Sequence, residues 1–196
     1  MYITEATRRD WQARYGHPRL LEIQLEISPE EREMVRRSRK AGRSHDITLL
    51  IFQGAELVLI KKPFFPAGAY RAPSGGLLPG ESLEAGVRRE AYEETGLEIE
   101  LEAYLVHMRA RFTCRGAVEN WISDVFAARA LDERLCAHDT EEIAEVRWGT
   151  LEELQGPIRR TLLETGWPLF RYRVLLTDAA VEVLGKLGLT HRDRSK

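Results

Sequence analysis

The segments Asp46 to Gln53 (DITLLIFQ) and Glu56 to Ile60 (ELVLI) are dense in aliphatic and β-branched residues and are parted by a turn at Gly54. They predict a hairpin that starts a β-sheet. Glu98 to Arg111 and Val118 to Ala127 read as further strands, and Glu145 to Trp148 as a short one leading into a helix at Leu151 to Leu154. Upstream, the partial alternation of Leu20 to Ile27 (LLEIQLEI) predicts a strand. Ser28 and Pro29 then open a helix rich in Glu and Arg that runs toward Arg39. Beyond Gly156, Pro157 to Thr165 is expected to be helical and RYRVLLT, Arg171 to Thr177, to be an apolar strand. A last helix, Asp178 to Leu187, would be capped by Thr177 or Asp178. The tail from His191 to Lys196 is expected to fray.

The polar positions say most between Gly75 and Leu97, GGLLPGESLEAGVRREAYEETGL. A helix should begin near Ser82, a good N-cap residue, and stop at Gly96, a C′ glycine. Gly75, Gly76 and Gly80 make the preceding loop able to approach other groups closely. Leu83 and Val87 supply an apolar stripe, and Ala85 and Ala91 let the helix lie tightly on a sheet. Glu90, Glu93 and Glu94 stand at i, i+3 and i+4, so they project from one side of the helix, with Glu81 just before it. Such crowding costs repulsion unless cations sit among the carboxylates. Hard oxygen ligands without Cys or His nearby select Mg²⁺ or Mn²⁺, which points to phosphate chemistry. Arg89, directly before Glu90, reads as a counter-ion that holds a carboxylate in place.

The same residues resemble the Nudix box, G-x5-E-x7-R-E-U-x-E-E-x-G-U. Gly75, Glu81, Arg89, Glu90, Glu93, Glu94, Gly96 and Leu97 are in register, and Ala91 stands where a larger aliphatic residue is usual. The resemblance implies an α/β fold, the Nudix αβα sandwich with a mixed sheet. That domain would span residues 45–196 including a C-terminal extension, with residues 1–44 as an N-terminal extension. It implies metal-dependent hydrolysis of the diphosphate linkage in a nucleoside diphosphate joined to another moiety, by in-line attack of water. It also implies Glu90, Glu94 and Glu93 as metal ligands together with a backbone carbonyl near Ser74 or Gly75, leaving Glu81 and Gly96 structural roles. The general base is left open, because Nudix proteins differ in which carboxylate serves and several recruit one from a later loop. Glu142, shortly before Trp148, is the favoured later carboxylate, with Glu141 and Glu145 as substitutes.

Substrate contacts are read more loosely. Lys61, Lys62, Arg71 and Arg111 flank the box and could meet phosphates or be ordinary surface charge. Arg71 leads, because YRAPSGG carries it into the glycine loop. Phe65, with Phe64, Tyr70, Phe112 and Trp121, could stack on a base or pack in the core.

Composition adds bounds. The 196 residues are 43% hydrophobic and 31% charged, enough for one α/β domain with a real core plus extensions. A net charge of −2 gives no general attraction to nucleic acid or anionic membrane. The basic run Arg36, Arg37, Arg39, Lys40 and Arg43 is balanced by Glu30, Glu31 and Glu33, and cations suit the last turn of a helix, so a nucleic-acid partner is not expected. Cys114 and Cys136 form no C-x-x-C pair and read as two reduced thiols. His17, His45, His107, His138 and His191 make no H-x-x-H pair, and Ser74 lies outside any G-x-S-x-G elbow. No run approaches ~20 apolar residues and no apolar leader is visible, so a soluble cytoplasmic protein is expected. The N-terminal extension and the apolar C-terminal strand suggest a homodimer. The proline downstream of the box that would suggest ADP-ribose cleavage is replaced by the Arg111 and Phe112 region, and no NADH or coenzyme A signature is evident. (d)NTPs, nucleotide sugars and dinucleoside polyphosphates therefore stand as candidates. The rival readings are a Nudix-fold sensor that binds nucleotides without turnover, and a diphosphate-using isomerase, which would want a catalytic Cys near the site.

Overall fold

The computed structural model describes residues 3–39 and 42–189. Lys40 of the basic run and the tail from His191 to Lys196 lie outside the described residues. The elements in chain order are α1 (Glu5–Tyr15), β1 (Arg19–Glu26), α2 (Pro29–Arg37), β2 (His45–Gln53), β3 (Glu56–Lys61), β4 (Ser74–Gly75) and α3 (Leu83–Thr95). They are followed by β5 (Ile99–Cys114), β6 (Ala117–Ala130), β7 (Glu145–Thr150), α4 (Leu151–Glu153), α5 (Arg159–Glu164) and α6 (Pro168–Leu187), with a π-helical stretch at Leu154–Ile158 joining α4 to α5.

Six strands line up as β1-β5-β6-β2-β3-β7, and the short β4 pairs with β2. The sheet is mixed: β1 runs parallel to β5 and β2 parallel to β6, while β5–β6, β2–β3 and β3–β7 are antiparallel. Its central strands are covered on both faces, which is why their sequences read as nearly continuous apolar runs. Along β2, Ile47, Leu49 and Ile51 join Val58, Tyr104 and Phe126 beneath α1 and α3 through Trp11, Leu83, Val87 and Ala91. On the other face Leu50, Leu57, Leu59 and Met108 pack against Leu162 of α5 and Phe170, Leu176, Ala180 and Leu184 of α6. This is the αβα sandwich with mixed sheet that the sequence led us to expect.

Two segments depart from the sequence expectation. The strand expected at Leu20 to Ile27 is β1, which extends the sheet beside β5, and α1, which the hydropathy pattern did not predict, buries Trp11 against Tyr104 and Phe126 with centroids 6.3 and 5.9 Å away. A reciprocal Thr4–Thr7 cap starts α1, but only Arg8 and Trp11 along it are buried. A helix that anchors by one large ring leaves no periodic stripe to read.

The segment Arg171 to Thr177 is not a strand. It lies inside α6, whose start is set by Trp167 and by Pro168 in the first turn, and whose end is a left-handed Gly188. The alternation of Phe170, Tyr172, Val174 and Leu176 imitates a strand over seven residues. The helical spacing of Leu176, Ala180 and Leu184 shows only over the full length. Thr177 and Asp178 consequently cap nothing. Thr177 Oγ1 donates to the Arg173 carbonyl at 2.9 Å, and Asp178 takes the guanidinium of Arg159 at 3.1 Å. The two segments that suggested a homodimer are thus both packed on their own chain. Among the described residues no helix is long and apolar enough to cross a membrane.

Candidate active site

Helix α3 begins where Ser82 Oγ accepts from the Ala85 N–H at 3.2 Å and ends at Gly96, whose φ of 79° is left-handed. A Cβ at Gly96 would also lie 2.6 Å from the Cys136 carbonyl, so that end tolerates no other residue without strain. Strand β4 holds the glycine loop to the sheet by pairing Ser74 with Thr48 and Gly75 with Ile47.

The acidic face of α3 turns onto this loop. Glu94 accepts a hydrogen bond from the Ser74 N–H at 2.8 Å, and Glu90 accepts one from the Gly76 N–H at 3.0 Å. Gly75 lies between them, and a Cβ there would sit 1.8 Å from the carboxyl carbon of Glu90. Gly75→Ala should therefore fold but displace the Glu90 carboxylate. The expected result is a loss of about ten- to a hundredfold in Mn²⁺ affinity, read by titration, with little change in melting temperature; an unaltered affinity would show that Glu90 does not depend on this cradle.

Arg89 organises the acidic groups. Its Nε and Nη2 donate to the two oxygens of Glu81, each at 3.0 Å, its Nη2 also donates to the Gly76 carbonyl at 3.0 Å, and its Nη1 donates to Glu90 at 2.9 Å and Glu93 at 3.2 Å. Glu81 is held below the usual carboxylate range by the Arg89 hydrogen bonds, against the opposing effect of burial. A second cluster surrounds Glu94. Lys62 Nζ lies 3.8 Å from Glu94 and 2.7 Å from Glu142, and Arg71 Nη2 lies 3.8 Å from Glu94. Burial nevertheless pushes Glu94 up to about 7, with Arg71 and Lys62 pulling the other way. Arg71 is itself lowered to about 10, first by burial and then by the nearby charge of Arg173.

The residues singled out in the sequence divide into two groups. Glu81, Arg89, Glu90, Glu93, Glu94, Ser74, Gly75, Arg71, Lys62 and Glu142 gather at the loop and the adjoining face of α3. Glu142 arrives from the far side because the Glu93 carbonyl accepts from the N–H groups of His138 and Asp139, each at 2.9 Å, which ties that loop to α3. Arg111 is exposed on β5 opposite Asn120, and Lys61 lies at the end of β3 opposite Glu145. Phe65 is buried, edge-on to Phe170 at 5.0 Å, and Phe112 and Trp121 are buried as well. Tyr70 lies beneath Arg147, 4.4 Å from its ring centre. Of the aromatic candidates Phe64 is exposed. The sequence reading missed Arg173, which reaches the site from α6; a segment read as a strand gave no signal that could place it.

The donor set suits a hard divalent cation. Glu90 and Glu93 already share one positive nitrogen of Arg89, and Glu94 is a carboxylate whose charged form is disfavoured by burial. Among the described residues no three His, Cys, Asp or Glu side chains converge as a ready-made metal cage, so loading would require the carboxylates to turn from their present partners.

A family model described as NUDIX domain matches residues 43–171. The chain is 39% identical over 120 residues to the NAD-capped RNA hydrolase NudC of Stutzerimonas stutzeri, covering 61% of this chain and 41% of that protein. It is 33% identical over 101 residues to an RNA pyrophosphohydrolase of Novosphingobium aromaticivorans, covering 44% of this chain and 63% of that protein. Each match thus spans less than two thirds of the relative's own length. A NUDIX hydrolase from Nitrosomonas europaea superimposes with a TM-score of 0.50 at 20% identity, over 70% of this chain and 89% of that one.

Proposed function

This chain belongs to the NUDIX domain family, and from that footing we propose that it is a pyrophosphohydrolase that uses Mg²⁺ or Mn²⁺ to cleave a nucleoside diphosphate linked to another moiety. The observation that carries the reading is the pair of hydrogen bonds by which Glu94 and Glu90 reach back to the Ser74 and Gly76 N–H groups, setting the acidic face of α3 against the glycine loop.

In this proposal Glu90, Glu93 and Glu94 hold the metal, with a loop carbonyl at Ser74 or Gly75 as a further oxygen. When bound, the ion would neutralise phosphate charge, polarise phosphorus and lower the pKa of an attacking water. The protein groups do the rest. Arg89 keeps Glu81, Glu90 and Glu93 together at an otherwise repulsive density. Arg71 and Lys62 stand where the negative charge of a diphosphate would arrive. Glu142, salt-bridged to Lys62, is the favoured candidate for the group that accepts a proton from the attacking water.

The relatives' names widen the range of substrates to try. Purified protein with Mg²⁺ should be offered (d)NTPs, nucleotide sugars, dinucleoside polyphosphates, ADP-ribose, coenzyme A, NADH, NAD-capped RNA and 5′-triphosphorylated RNA. The expected result is turnover of one class, lost with chelator and restored by Mg²⁺ or Mn²⁺. If no compound turns over and one raises the melting temperature, the protein is a nucleotide sensor instead.

A further inference from the structure

Helix α6 contributes a side chain to β2, beside the loop, from the opposite face of the sheet to α3. Arg173 Nη1 lies 3.4 Å from Thr48 Oγ1 and donates to it, and Arg173 Nη2 pairs with Asp46 at 2.8 Å. Thr48 is the register partner of Ser74, and Ser74 Oγ accepts from Arg71 Nη1 at 2.6 Å. The two guanidinium groups therefore occupy the two ends of one pair of neighbouring hydroxyls, and the Ser74 N–H in that pair holds Glu94.

Two cations side by side repel, and here the repulsion is only partly met. Among the described residues Arg71 donates to the Ala72 carbonyl and Ser74 Oγ and to no carboxylate, with Glu94 standing off at 3.8 Å. On its own side Asp46 Oδ1 accepts from Trp121 Nε1 at 3.0 Å and from Ser123 Oγ, and Tyr172 in turn bonds Ser123. That web fixes Arg173 in place without spending all its donors. The Arg173 side chain keeps 24% of its surface open and Arg71 8%, so Arg173 is partly open and Arg71 is recessed. A guanidinium with rigid partners and free donors is suited to a phosphate, which can bridge two of them.

We infer that Arg173 and Arg71 form a two-arginine seat for one phosphate group of the substrate, on the Thr48–Ser74 hydroxyl pair. Arg173 is then a substrate-binding residue carried by α6. The inference rests on the pyrophosphohydrolase reading, since it concerns the same loop. It gives a role to the cation that α6, whose apolar face alone would serve packing, sends to Thr48 and Asp46 of β2. A phosphate in that seat would neighbour Ser74, whose N–H holds Glu94.

The test uses methylene-bridged ADP, a diphosphate that resists hydrolysis between its two phosphorus atoms, titrated calorimetrically in Mg²⁺ buffer. Arg173→Met should weaken binding by about ten- to a hundredfold, the effect of losing a hydrogen bond to a charged group. Arg171→Met, an exposed neighbour on the same helix, should bind as the natural chain does. Because Arg173→Met leaves Asp46 without its cation, the double variant Asp46→Asn with Arg173→Met serves as the folding control. It keeps the interior neutral and should show the same weakening. Binding unchanged in a folded Arg173→Met or double variant would overturn the seat while leaving the hydrolase reading intact. Absence of binding by the natural chain to this probe and to every compound of the substrate screen would overturn both.

Discussion

Glu94→Gln is expected to lower turnover on the order of a thousandfold, with Glu93→Gln also falling by orders of magnitude and both variants remaining folded. Glutamine keeps the size of Glu94 and can still accept from the Ser74 N–H, so the loop geometry survives while the anionic ligand is lost. Near-normal rates in both variants would remove these residues from the site. Stability gives an independent readout. In the metal-free protein Glu94 is raised from 4.5 to about 7 by burial. The folded protein therefore holds a proton that the unfolded chain has released across that window. Its stabilising effect is complete below pH 4.5 and is lost as pH rises through 7, amounting to about 3 kcal/mol. His45 acts in the opposite sense. Burial lowers it to about 4, so its contribution is present above 6.5 and lost as pH falls toward 4. The quantity to measure is thus the difference in melting temperature between the natural chain and Glu94→Gln, in chelator, from pH 5 to 8. The glutamine variant should gain on the natural chain as pH rises. A difference that does not vary with pH would mean that Glu94 titrates normally.

Trp11→Ala should cost about 3–5 kcal/mol, the range for deleting a fully buried large ring. The indole is 2% exposed and meets Tyr104 and Phe126 edge-on, so its removal opens a hole between α1 and the sheet that these stacked rings are too constrained to fill. For a domain of this size the expected shift is a drop in melting temperature on the order of 10 °C. Turnover per folded molecule should be kept at low temperature, because among the described residues the hydrogen bonds and ion pairs of Glu94 run to Ser74, Lys62 and Arg71 and to no group of α1. A drop of only a degree or two would show that residues 3–39 are an appendage and not part of the core.

The contrast between these two residues shows how far the chain can be read by itself. Gly75, Glu81, Arg89, Glu90, Glu93, Glu94 and Gly96 are local to one loop and one helix, and their spacing is set by helical geometry and by the left-handed cap at Gly96. Short-range chemistry of that kind is written directly in the order of residues, as are β2, β3, β5 and β6, whose apolar runs need only their own composition. Tertiary structure decided the rest. Whether Arg171 to Thr177 forms a strand or helix depended on whether the chain could continue its 3.6-residue period into Ala180 and Leu184 against the sheet. That choice alone determined whether Arg173 reached Thr48. Glu142 met Lys62 because the Glu93 carbonyl captures the His138 loop, and Phe65 became a core ring because Phe170 was there to receive it. Trp11 found its site only once β5 and β6 had placed Tyr104 and Phe126 side by side. Contacts between residues distant in sequence are set by burial and packing in three dimensions, and no local pattern records them.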